Sequence, residues 1–242
     1  PDLHVKREIK YINVTSEKFN LIINTETGHI DSFTIKGNKV FLDDIGFKPN
    51  FWRGPTDNDY GASMPYNKQI WKRAGNESKL SNLNVAYEEH NVVISYNMSV
   101  TPEHVIDMRY KVFPSGTITF KAKLIPTNDK TEIPSPPRFG FRFHLPKEMN
   151  LVTYFGRGPH ENYVDRKQSA YIDLFKTTVE DLYFPYVRPQ ENGHHTDTGW
   201  LMLSKMKGPK ILIVSDNKME FNALRNTVED FDDEEQKNIP RQ

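Results

Sequence analysis

The chain has 242 residues, with 32 Lys+Arg against 32 Asp+Glu and no cysteine. The lack of cysteine excludes a disulfide framework, a thiolate metal site and a cysteine nucleophile, and the balanced charge gives no sequence-wide basic field of the kind that marks a nucleic-acid binder. With 36% hydrophobic and 26% charged residues, the composition is that of a soluble globular protein rather than a disordered one, and no apolar run approaches the ~18 residues of a membrane span.

The first residues, Pro1-Asp2-Leu3-His4-Val5-Lys6, carry neither a basic-then-apolar leader pattern nor an initiator Met, which predicts a chain processed or cut from something longer. Turn residues at Thr27-Gly28 and Gly37-Asn38 punctuate the N-terminal third. Tyr66 to Ala74 reads as a short helix ended by Gly75, a favoured residue just past a helix end. From Val92 to Val100 the residues Val92, Ile94, Tyr96, Met98 and Val100 are apolar, while Ser95, Asn97 and Ser99 are polar. The same period of two recurs at Ile118, Phe120, Ala122 and Leu124, beyond a turn at Pro114-Ser115-Gly116, and at Phe139, Phe141, Phe143 and Leu145. This alternation predicts half-buried strands of an antiparallel sheet. Between them Asn128-Asp129 reads as a turn and Ile133-Pro134-Ser135-Pro136-Pro137 as a stiff connection. Thr178 to Leu182 suits a single helical turn. Gly208-Pro209 precedes the strand-like run Ile211-Leu212-Ile213-Val214, and Glu229 to Glu235 places six acids in seven residues. That acidic run reads as a solvated loop or a helix N-terminus, with an interaction tail or a divalent-ion site as its functional alternative. The expectation is an all-β protein with one or two short helices, a single β-sandwich domain over 1–242.

Most motifs with a defined chemistry fail here. Gly156-Arg157-Gly158 opens like a dinucleotide loop, but Glu161 stands where the third glycine belongs. His160-Glu161 opens like a zinc-protease helix, but Val164 replaces the second histidine. Asp57-Asn58-Asp59-Tyr60-Gly61 resembles a calcium loop, but Lys68 occupies the position of the bidentate glutamate. Asn13, Asn76 and Asn97 match the glycosylation pattern, which carries weight only in a secretory context.

Three polar and aromatic segments remain: Phe51 to Asp59, Tyr154 to Tyr163, and Tyr186 to His195. Each combines Arg, carboxylate, amide and aromatic groups with Gly or Pro. Sugar sites use such sets, with carboxylates and amides bonding vicinal hydroxyls and aromatic faces covering C–H patches. Rigid loops use them too, with Asn and Asp bonding nearby backbone and Arg bridging turns. The candidate substrate-binding residues are Trp52, Arg53, Asp57, Asn58, Asp59, Arg157, His160, Glu161, Asn162, Arg188, Gln190, Glu191 and Asn192. Glycoside hydrolysis needs a pair of carboxyl groups roughly 5–9.5 Å apart. Asp57, Asp59, Glu161 and Glu191 are the available carboxylates, but Asn58 and Gly61 make the Asp57–Asp59 stretch read as loop. No catalytic residue and no metal ligand is assigned.

These same segments carry a resemblance. Phe51-Trp52-Arg53-Gly54-Pro55-Thr56-Asp57-Asn58-Asp59-Tyr60-Gly61, followed by Trp71 and Ala74-Gly75, resembles the opening signature of the C-terminal β-sandwich (small-chain) domain of glycoside hydrolase family 2 β-galactosidases, with Gly54 where Ala is common. Gly156-Arg157-Gly158-Pro159-His160-Glu161-Asn162-Tyr163 with Asp165-Arg166 resembles the central signature. Arg188-Pro189-Gln190-Glu191-Asn192-Gly193 with Thr196-Asp197 and Trp200 resembles the third; His195 and Gly199 fall where Arg is frequent. The resemblance spans nearly the whole chain and implies an antiparallel supersandwich of galactose-mutarotase-like type.

It also implies that the acid/base and nucleophile glutamates of a retaining mechanism lie on a separate (β/α)₈ barrel upstream, so no catalytic residue carries over. The chain is then a fragment truncated at its C-terminal end, where an aromatic residue of the galactose pocket would follow. No cofactor is expected in this chain, with the Mg²⁺ and Na⁺ of the parent bound elsewhere. The implied partners are the other domains of a homo-oligomeric bacterial parent acting in lactose catabolism, and a neutral galactoside; nucleic acid and membrane are not among them. Cytoplasm and periplasm both suit such a parent. The other readings are a stand-alone carbohydrate-binding module and an aldose epimerase, which would draw its acid from His104, His144, His160, His194 or His195 and its base from a carboxylate such as Glu161.

Overall fold

The computed structural model describes residues 2–42, 46–128, 130 and 132–232. The chain forms two compact units. One comprises Pro1–Trp52 and Met64–Pro146, the other Arg53–Ser63 and Lys147–Gln242. Fifteen strands and three short helices, α1 (Asp57–Gly61), α2 (Met64–Asn67) and α3 (Ile70–Ala74), are seen among the described residues, where the sequence pattern predicts one or two helices. Every strand pairing is antiparallel. The all-β class expected from the period of two is the class observed. No helix among the described residues is long and apolar enough to cross a membrane.

In the first unit, β1 (His4–Arg7), β2 (Tyr11–Thr15), β3 (Phe19–Asn24), β4 (Ile30–Ile35) and β5 (Asn38–Lys39) form a meander in chain order. After β6 (Lys48–Asn50), a second meander runs through β7 (Lys79–Glu88), β8 (Asn91–Thr101), β9 (His104–Val112) and β10 (Ile118–Pro126). The alternation in the sequence becomes burial on one face. Val92, Ile94, Tyr96 and Met98 of β8 lie beside Val112, Tyr110, Met108 and Ile106 of β9, and all eight are almost completely buried. On the first meander Ile12 and Val14 of β2 pair with Ile23 and Leu21 of β3, and all four are likewise fully buried. Each such side chain contributes roughly 1.5–3 kcal/mol by leaving water. Tyr96 Oη donates to the Gly28 carbonyl at 2.6 Å, which ties the predicted Thr27-Gly28 turn of one sheet to the centre of the other.

Two expectations need correction in this unit. The helix predicted over Tyr66–Ala74 is split into α2 and α3, and Gly75 follows the second at φ −71°. Gly75 does not take the left-handed conformation of a usual helix stop. A methyl group there would run into the Pro49 carbonyl, so close backbone approach is what demands glycine. The run Phe139–Leu145 keeps ladder pairing only over β11 (Gly140–Arg142), against β6. Its central residue Phe141 faces Pro49, which has no N–H to donate. The alternating phenylalanines instead build an aromatic layer, with Phe47 stacked on Phe141 at 4.5 Å and edge-on to Phe120 at 5.0 Å.

The second unit is built on β12 (Leu151–Gly158), β13 (Tyr171–Thr178), β14 (His195–Ser204) and β15 (Lys210–Phe221), in the order β13-β12-β14-β15. One face buries Val152, Tyr154, Leu201 and Leu203. The single turn predicted at Thr178–Leu182 is present, closed by Leu182 N–H to Thr178 carbonyl at 3.3 Å. The β14–β15 register slips between His195 and Thr198 and again between Thr198 and Trp200, and this bulged stretch holds Asp197 at φ 53°. Bulges of this kind re-aim side chains. The acidic run is described only in part: Glu229–Phe231 is a 3-10 turn, and its last three acids, at 233–235, lie outside the described residues.

Candidate functional site

All the candidate residues except Trp52 fall in the second unit. Trp52 belongs to the first, where it is buried. The segment after it, read from sequence as loop, is helical. Thr56 caps α1 by accepting from Asp59 N–H at 3.2 Å, and the Asp59 carboxylate returns to Thr56 N–H at 3.0 Å. This reciprocal box satisfies two donors at the helix start and overrides the weak helix propensity of Asn58 and Gly61. The same carboxylate takes two bonds from Arg53, Nε at 3.1 Å and Nη2 at 2.6 Å. Burial works against the Asp59 charge, but the Arg53 guanidinium and the Thr56 amide hold its pKa below the usual carboxylate range.

Glu191 fastens that segment to the third one. Its Oε2 accepts Gly54 N–H at 3.2 Å while its own N–H donates to the Gly54 carbonyl at 3.0 Å, and its Oε1 takes Asn222 Nδ2 at 3.0 Å. Glu161 is equally committed. Oε1 accepts from Arg166 Nη2 at 2.6 Å and from the Tyr186 hydroxyl. Oε2 accepts Gly193 N–H at 2.8 Å and the Tyr163 hydroxyl at 3.4 Å. Burial and the Glu161 charge push the Tyr163 phenol far up, so it stays a proton donor at any physiological pH.

Asn162 is fully buried with its amide spent on backbone: Nδ2 donates to the Arg157 and His160 carbonyls, both at 3.0 Å, and Oδ1 accepts Thr196 N–H at 3.0 Å and Thr196 Oγ1 at 2.7 Å. Asn192 clamps Phe184 in the same way, through its N–H at 2.9 Å and its carbonyl at 2.5 Å. Arg157 bonds Asp197 at 2.7 Å and the Ala170 carbonyl at 2.8 Å. Hydrogen bonds from Arg157, with Lys167 and Lys218 close by, bring the Asp197 pKa down to about 2.

The remaining candidates face outward. Asp57, Asn58, His160 and Arg188 are exposed and Gln190 is half-buried. Arg188 Nη1 stands 3.8 Å from Asp57 Oδ1, so the first and third segments meet at the surface. His160 pairs with Ser169 Oγ at 3.0 Å, apart from that set. His195 is fully enclosed between the rings of Tyr154 and Phe221, where burial lowers its pKa. His194 is stacked on Tyr163 and bonded to Asn222 and Glu220.

Sequence reasoning did not select Tyr186, Thr196, Asp197, Asn222 or Glu220 as members of this network. The first three lie within the quoted segments and signatures but stood outside the candidate set. Asn222 and Glu220 carry no local signal and arrive through the pairing of His195 with Phe221. An open groove of about 640 Å³, lined by Lys147, Glu148, Lys205, Lys207 and Arg225 among others, contains none of the candidates. No cluster of three or more His, Asp or Glu fit to hold a metal ion is found among the described residues.

Residues 15–240 match the family described as beta galactosidase small chain. The chain is 32% identical over 225 residues to a beta-galactosidase of Priestia megaterium, covering 93% of this chain and 21% of that protein. It is 30% identical over 224 residues to one of Streptococcus thermophilus, covering 91% and 21%. A third, from Vibrio cholerae, is 32% identical over 199 residues, covering 76% and 19%. The chain therefore spans about a fifth of the length of the curated relatives it matches.

Proposed function

The chain belongs to the β-galactosidase small-chain family, and from that premise we propose that it is the non-catalytic terminal domain of a retaining β-galactosidase, packing on a catalytic barrel and shaping one side of the substrate cleft. The observation that carries this reading is the state of the carboxylates. Glu161, Glu191 and Asp59 each spend their oxygens on arginine, tyrosine, amide or backbone donors of the same unit. A general acid or base has to exchange its proton with substrate, and groups held this way serve better as struts. The Mg²⁺ and Na⁺ implied by the resemblance belong, on this reading, to other parts of the parent.

Asp57, Asn58 and Arg188, which are exposed and adjoin one another, are the groups this reading turns toward the galactoside. The purified chain is expected to leave a chromogenic β-galactoside intact. Turnover that persists when the host β-galactosidase gene is deleted overturns the proposal. The epimerase alternative gains little support from His194 and His195, both buried and occupied. The carbohydrate-module alternative predicts binding heat from galactose or lactose in calorimetry with this chain alone, and the scaffold reading predicts none.

A further inference from the structure

The sheet of the second unit has two faces, and both are apolar. On the outer one, the pairings Leu174–Phe155, Phe155–Trp200 and Trp200–Val214 place four apolar side chains in one straight row across all four strands. At a strand spacing of ~4.8 Å the row is about 14 Å long. The next row adds Met202 and Leu212, which pair with each other. Phe155, Leu174, Leu212 and Val214 are 45–66% exposed. An antiparallel sheet with one wet face should alternate to polar residues on it, and β12, β14 and β15 break that rule at the same level of the sheet. Polar groups flank the row: Thr153 and Lys176 complete the line of Met202 and Leu212 on one side, and Arg157 with its partner Asp197 stands on the other. An apolar centre with a charged rim is the anatomy of a protein interface.

We infer that this row is a docking surface for another part of the same polypeptide, which rests on the reading of the chain as one domain of a larger β-galactosidase. Two observations select that occupant. The matched relatives are about five times as long as this chain, so a partner in cis of sufficient size is implied. The row also mixes Leu and Val with its aromatics and offers few hydrogen-bond donors at its centre, which suits side-chain packing and not the hydroxyls of a sugar.

The test uses the lack of native cysteine in this chain. Val214→Cys and Leu174→Cys mark the two ends of the row, and Met206→Cys marks an exposed turn in the same unit. Each is placed in the parent-length protein, and maleimide labelling is followed by peptide mass spectrometry. The inference predicts labelling at Val214→Cys and Leu174→Cys roughly tenfold or more slower than at Met206→Cys, and fast labelling of all three in the 242-residue chain. Equal rates in the parent-length protein overturn it. Slow labelling in the 242-residue chain with a doubled mass in sedimentation overturns it in favour of a second copy, and slow labelling only when galactoside is added overturns it in favour of a sugar. If the native polypeptide in cell extracts proves to be 242 residues long, it is the terminal-domain reading that fails, a result distinct from free labelling of a full-length enzyme.

Discussion

Arg53 holds Asp59 by two hydrogen bonds, 3.1 and 2.6 Å long, one to each carboxylate oxygen, reaching from before the cap into a helix only five residues long. The carboxylate is mostly buried and also closes the helix cap, so one side chain fixes both an ion pair and a fold element. Asp59→Ala is expected to cost about 2–3 kcal/mol, since it strands a half-buried guanidinium and opens the cap. Urea unfolding of Asp59→Ala, Arg53→Ala and the double variant checks this. A coupling energy near zero in that cycle contradicts it.

Gly54, in the first signature, is pressed between Phe231 and the Gln190-Glu191 backbone of the third. A methyl group there would lie 2.7 Å from Phe231 Cβ and 2.9 Å from Glu191 N. Gly54→Ala should therefore destabilise by about 1–3 kcal/mol, although the resemblance makes alanine common at this position. Phe231→Gly should remove part of that penalty, which a comparison of denaturation midpoints in the two backgrounds would reveal.

Glu161→Gln keeps the shape of the side chain but turns one acceptor into a donor among Arg166, Tyr186, Tyr163 and Gly193 N–H. The expected loss is about 2–3 kcal/mol, a fall in thermal midpoint of roughly 4–12 °C for a chain of this size. An unchanged midpoint would show that the carboxylate is not a strut.

His29 lies 3.0 Å from the Gly75 carbonyl and 2.9 Å from Ser78 Oγ. Burial, and next the Lys48 charge, push its pKa from 6.5 to about 4. As pH falls, the unfolded chain takes the proton first. The stability tied to neutral His29 is therefore complete above about pH 6.5 and is lost as pH falls toward about 4. The urea midpoint should decline over that window, and His29→Gln should flatten the decline.

Asp57 and Arg188 are exposed, and their 3.8 Å pair is worth little to folding. Alanine at either should change stability by less than about 0.5 kcal/mol. In the parent-length enzyme the same variants should raise KM for a β-galactoside with kcat nearly kept, as steady-state kinetics would record. A large loss of stability with no kinetic effect would assign them to the framework.

The strands were legible because period-two burial leaves a direct trace, as at Val92 to Met98. Where a local rule competed with a distant one, the trace misled. Asn58 and Gly61 disfavour helix, yet Thr56 and Asp59 close a cap around them. Gly75 marks a helix end, yet the residue that requires glycine there is Pro49, far away in sequence. The three polar segments were also legible as segments. Their division into committed struts and exposed groups was not, because Glu191 and Glu161 look alike in sequence and only their donors, Gly54 and Asn222 for one and Arg166 and Gly193 for the other, distinguish them from free carboxylates.

The second unit takes Arg53–Ser63 from early in the chain and the rest of itself from Lys147 onward. Gly54 and Glu191, which bond each other twice, are 137 residues apart. At roughly 5–20 residues per second of synthesis, the early piece leaves the ribosome on the order of ten seconds before its partner exists. During that interval Arg53, Asp59 and the capped turn have only each other, so slowing translation between residues 63 and 147 should lengthen the life of a protease-sensitive nascent chain in which the first unit can close and the second cannot.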